Sequence, residues 1–103
     1  MARVIKKIKL TRSVDETVRI VENILTRHKY KNKLFKGENI WSKGDGVIIV
    51  MSCFAFSFSE DEIIIQAWIR DAVTGESDLE GFKAIAVKRK AKAILNEIEN
   101  SLS

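Results

Sequence analysis

With 103 residues, 46% of them hydrophobic and 31% charged, the chain has the makeup of one globular domain and is too apolar for a disordered one. A single cysteine excludes an internal disulfide or a cysteine-cluster zinc site and fits a reducing cytosol. The opening MARVIKKIKL is too poor in apolar residues for a signal-peptide core, and no uninterrupted apolar run reaches membrane-spanning length, so a cytoplasmic chain without membrane contact is expected.

Ala2 to Leu10 alternates loosely, with Val4, Ile8 and Leu10 opposed to Arg3, Lys7 and Lys9, and reads as a strand with a basic outer face. Ser13-Val14-Asp15-Glu16 then fits a capping box, in which Ser13 accepts from the Glu16 amide. The helix it opens, near residues 13–28, carries Val14, Val18, Val21, Leu25 and His28 on one stripe, with Arg19, Glu22 and Arg27 opposite. From Lys29 to Gly37 the chain is basic and irregular, and Gly37-Glu38 is expected to turn it into a strand holding Ile40 and Trp41.

The stretch from Gly46 to Arg70 reads as a β-hairpin hinged at Glu60-Asp61. Phe54, Phe56 and Phe58 share one face of its first strand, and Ile63, Ile65, Ala67 and Ile69 one face of its second. The beginning of the first strand is apolar on both faces, which suits cover on both sides. Upstream, Lys43-Gly44-Asp45-Gly46 makes a turn, with glycines free to take positive φ. Leu79, Phe82 and Ile85 are expected to pin the long connection after Asp71, with room for an extra short edge strand near 79–85. A last helix, near residues 87–102, has Val87, Ala91, Ile94, Leu95, Ile98 and Leu102 as its apolar stripe. The expectation is an α+β fold in one domain, residues 1–103, ordered β-α-β-β-β-α: a four-stranded antiparallel sheet with two helices on one face.

Three short runs, Trp41-Ser42-Lys43-Gly44-Asp45-Gly46, Gln66-Ala67-Trp68-Ile69 and Leu79-Glu80-Gly81-Phe82, resemble a small bacterial domain of unknown function. That domain carries W-x-K-G-x-G, A-W-I and L-x-G-F in the same order and often sits behind a zinc ribbon. This chain has no zinc ribbon, and Val87 stands where a helix-opening proline would be expected. The resemblance implies an α+β fold and a bacterial cytosolic setting, but no activity.

No catalytic set survives inspection. His28, the one histidine, lies at a helix C-terminus, where a cation is electrostatically welcome. Cys53 reads as a small core hydrophobe. Asp71, Glu76, Asp78 and Glu80 lack the spacing of a calcium loop. A non-enzymatic chain with no cofactor is therefore expected.

Most of the 18 lysines and arginines gather in residues 3–12, 27–36 and 83–92, and half of the 14 acidic residues lie between Glu60 and Glu80. Lys83, Lys88, Arg89, Lys90 and Lys92 crowd the start of the last helix, where the dipole already disfavours cations. Lys83, Lys88, Arg89 and Lys92 are thus candidate anion-binding residues, unless the acidic loop before them folds back as their counter-charge. The sheet face left without helices would hold Lys7, Lys9, Ile64 and Trp68, candidates for a homodimer interface. The leading expectation is a small interaction module that self-associates through this open face. The alternative is a binder of nucleic acid or another anionic ligand through the basic patches.

Overall fold

The computed structural model describes residues 3–44, 50–71, 75–77 and 85–103. In chain order the elements are β1 (Val4–Lys9), α1 (Val14–Arg27), β2 (Lys31–Phe35), β3 (Glu38–Lys43), β4 (Met51–Ser59), β5 (Glu62–Asp71), β6 (Gly75–Ser77) and α2 (Ile85–Leu102). The sheet is antiparallel, with strand order β1-β5-β4-β3-β2, and β6 pairs with β5 beyond the start of β1. The fold is α+β as expected, but the strands number six rather than four. The added strands are β2, on a segment that reads as irregular, and the three-residue β6. The proposed edge strand near 79–85 falls largely outside the described residues.

The addition of β2 has a local cause. β2 is KNKLF, with four of its five residues exposed, so it has no buried face to imprint a period on the sequence. Its pairing with β3 comes from a two-residue turn, Lys36-Gly37, in which both residues take positive φ (51° and 80°). That geometry matches the right-handed twist of the flanking strands. Lysines on β1 and β2, the sheet's two outer strands, discourage edge-to-edge pairing. Much of the basic clustering in residues 3–12 and 27–36 is accounted for in this way.

α1 starts as its sequence predicts. Ser13 caps it, accepting from the Glu16 amide at 3.1 Å, and the Ser13 hydroxyl lies 3.3 Å from the Glu16 carboxylate. Its C-terminus closes with Lys29 at φ 72°, the Lys29 amide donating to the Thr26 carbonyl and the Tyr30 amide to that of Leu25. This pair of bonds is the Schellman arrangement, with lysine where glycine is usual. The reversal turns the Tyr30 ring inward against Phe54, edge to face at 5.4 Å.

Both helices lie on one face. Val21, Ile24 and Leu25 of α1 and Ala91, Ile94, Leu95 and Ile98 of α2 bury against Phe54, Ile63, Ile65, Ala67 and Ile69. Phe56 and Phe58 pack at the margin of this core, on the side expected of them. Glu97 joins the helices: His28 Nε2 lies 2.8 Å from its carboxylate, and Arg27 pairs with it as well. Together they hold the Glu97 carboxyl below its ordinary range.

The opposite face is not open. Ile40, Met51, Cys53, Ala55 and Trp68 form a second buried cluster, with Phe35 against it. Two contacts show how they are covered. Arg3, just before β1, donates to Glu38 of β3 at 2.8 and 3.0 Å, and Arg70 of β5 sits 5.0 Å over the Phe35 ring of β2. Each pair spans three strand spacings, about 14 Å in a flat sheet whose side chains stand perpendicular to it. The sheet therefore curls, concave away from the helices, and its two margins meet over the second cluster. The double cover expected for the start of β4 is this cluster.

Candidate functional site

The expected interface does not present Trp68. Its side chain is only 2% exposed, beneath the Arg3 guanidinium at 3.5 Å from the ring centroid. Arg3 in turn donates to Glu76 at 3.0 and 2.8 Å and to Gln66 at 3.2 Å. Trp68 is thus desolvated within its own chain, and the reason for expecting an exposed aromatic on that face is gone. Trp41, the other tryptophan, pairs with Phe54 and packs towards the helices. Lys7 and Lys9 are exposed, and Ile64 is half-buried. Ile5, not singled out in the sequence, is the most exposed apolar residue of β1, at 56%.

One carboxylate of the acidic loop is engaged elsewhere. Glu76 serves Arg3, which holds its carboxyl below the usual range, instead of answering the cations of α2. Asp78 and Glu80 fall outside the described residues. Cys53 is fully buried and its thiol is pushed up to about 12, chiefly by burial, so it is inert.

The basic cluster at the start of α2 is divided by helix geometry. At 100° per residue, Lys88 and Lys92 share one flank of the apolar stripe, while Val87 and Lys90 share the other. Lys88 is buried and engaged within the chain, and Lys92 is exposed and likewise engaged. Arg89 is exposed, and Lys83 lies outside the described residues. Of the residues expected to form an anion site, Lys88, Arg89 and Lys92 therefore lie away from the flank that carries Lys90. Lys90 instead meets a lysine from elsewhere in the chain.

A cleft of about 140 Å³ opens between the start of α2 and the adjoining ends of β3 and β4, lined by Tyr30, Lys43, Gly44, Val50, Ser52, Val87 and Lys90. Local structure sets several of these residues in place. Lys43 is the last residue of β3, opposite Ser52. Gly44 follows at φ 99°, and a Cβ there would come within 2.5 Å of the Val50 carbonyl oxygen, so only glycine lets the chain pass. Tyr30 is delivered by the C-terminal reversal of α1, and its hydroxyl lies 2.6 Å from that of Ser52. Lys43 and Gly44 belong to the Trp41–Gly46 run, which sequence reading treats as a turn alone.

Among the described residues, the charged groups lining the cleft are both cations. Lys43 and Lys90 both line the cleft, and Lys29 adds a further like charge; partial desolvation, then these neighbours, pull the Lys43 pKa below the ordinary lysine value. No carboxylate among the described residues forms an ion pair with Lys43 or Lys90. Ammonium groups carry three donors and no acceptor, so neither can satisfy the other while both are charged. An acceptor, best a negative one, would suit both. No group of His, Cys, Asp and Glu fit to hold a metal occurs among the described residues, and none of their helices is long and apolar enough to cross a membrane. No known family model, curated protein or solved structure matches the chain, so this geometry stands without a relative to interpret it.

Proposed function

We propose that this chain is a small non-enzymatic binding module that holds an anionic ligand in the cleft between β3, β4 and α2. The observation that carries the reading is that Lys43 and Lys90 both line one concave site, whose lining among the described residues holds no carboxylate. An anion there would accept from both ammonium groups and relieve their repulsion, with Lys29 adding a longer-range contribution. A concave, largely preformed pocket with a few convergent polar groups is the usual form of a small-ligand site. Self-association through the curled face ranks lower, because Trp68 is already covered and, among the described residues, Ile5 is the one large apolar side chain exposed there.

The test is a titration of isotope-labelled protein with inorganic phosphate and with acetate, followed by amide shifts. Saturable changes are expected at Gly44, Val87 and Lys90, weakened by added salt and lost in the Lys43→Met, Lys90→Met double variant. Lys7→Met should leave them unchanged. Shifts spread along the lysine-rich edge strands, or surviving in the double variant, would reject the cleft as the site.

A further inference from the structure

The ligand's chemical class can be narrowed from what lines the cleft besides its lysines. Val50, Val87 and the Tyr30 ring supply apolar walls, and among the described residues the other side-chain polar groups are the hydroxyls of Tyr30 and Ser52. Both these residues are at least nine-tenths buried, with 5% and 4% exposed. Their mutual bond at 2.6 Å uses one of their two hydroxyl protons and leaves the other for a further acceptor. A bare phosphate bridging Lys43 and Lys90 would leave the apolar walls facing water. The cleft's volume, about 140 Å³, is close to the roughly 150 Å³ of an apolar cavity known to accept benzene.

Building on the anion-site reading above, we infer that the ligand is a small amphipathic carboxylate. Its head lies between Lys43 and Lys90, and its apolar body, about the size of a six-membered ring, lies against Val50, Val87 and Tyr30. The carboxylate offers two oxygens, enough to accept from both ammonium groups. A single negative charge is easier than a dianion to bring against apolar walls, where desolvation is costly. Each additional buried CH2 should tighten binding about fourfold until the walls are covered.

Calorimetric or shift titrations of the full chain with acetate, benzoate, benzyl alcohol and inorganic phosphate test this. Benzoate is expected to bind at least tenfold more tightly than acetate or phosphate, and more tightly than neutral benzyl alcohol. Val87→Ser should cut the advantage of benzoate severalfold and leave acetate as it was, while Lys90→Met should weaken both. Equal affinities for acetate, phosphate and benzoate, all dependent on Lys90, would overturn the amphipathic class and leave the anion site standing. A lysine-dependent response to a single-stranded oligonucleotide but none to benzoate would do the same. Benzyl alcohol binding as well as benzoate, or no lysine-dependent response to any probe, would overturn both.

Discussion

Arg3 closes the curled sheet, and replacing it should show how much that closure contributes. Its side chain is 11% exposed, it reaches Glu38 and Glu76 through four charge-assisted hydrogen bonds, and it covers the face of Trp68. Breaking a fully buried ion pair by removing one partner costs about 3–5 kcal/mol. Here the carboxylates are 39% and 27% exposed, so water recovers part of that loss. Arg3→Met, which keeps an unbranched apolar stem over Trp68, should therefore cost about 2–3 kcal/mol, including the cation–π contribution. Arg3→Ala also uncovers the indole and should cost about 1 kcal/mol more. Urea melts at neutral pH measure both. The pH dependence is the sharper readout. Glu76 has a depressed folded-state pKa, so its contribution is complete above the unfolded carboxylate range and is lost as pH falls through the lower folded value. Arg3→Met should remove this part of the acid sensitivity, while Glu97, held low by His28 and Arg27, keeps its own share in both proteins. A loss under about 0.5 kcal/mol, or an acid limb unchanged by Arg3→Met, would refute the idea that this residue closes the sheet.

Two further substitutions probe the cleft and the β2–β3 turn. Lys90→Met should raise the stability of the ligand-free protein by about 0.5–1 kcal/mol at low ionic strength, the scale of two like charges near 4 Å in a well-solvated setting. That gain should fade in 1 M salt, where screening acts within about 3 Å; a gain indifferent to salt, or a loss, would mean the two ammonium groups do not repel. Lys36→Asn places Asn-Gly in a turn where both residues have positive φ and should stabilise by about 0.4–1 kcal/mol. Raised hydrogen-exchange protection of the β2 amides is the accompanying sign, and an unchanged or lower urea midpoint would count against the turn as described.

What the sequence made legible follows one physical rule: an element shows itself when it buries one face. Phe54, Ile63 and Ile65 repeat at period two because their strands face two helices, and Val21, Leu25, Ile94 and Ile98 repeat at helical spacing for the complementary reason. β2 buries almost nothing, so it leaves no period and reads as loop. Trp68 fails differently. Period two puts it on the right face, but a flat sheet would leave it in water, and the curl that brings Arg3 and Glu38 together covers it.

The candidate site is hidden for a further reason. Its side chains come from the end of α1, the ends of β3 and β4, and the first turns of α2, so no run of sequence contains it. Counting charges finds the cations at the start of α2 but not which flank each occupies, and the same helical spacing that sets Lys90 beside Val87 turns Lys88 away. Lys43 is harder still to notice, because a lysine before a glycine-rich turn needs no explanation until the fold brings a second lysine to it. Two like charges meeting at a cleft oppose folding, and the ligand that resolves the opposition contributes stability in proportion to its occupancy. The same substitution should therefore move stability and binding in opposite directions: Lys90→Met should strengthen the empty protein and weaken its grip on an anion. A residue that serves only the fold would not separate the two in this way.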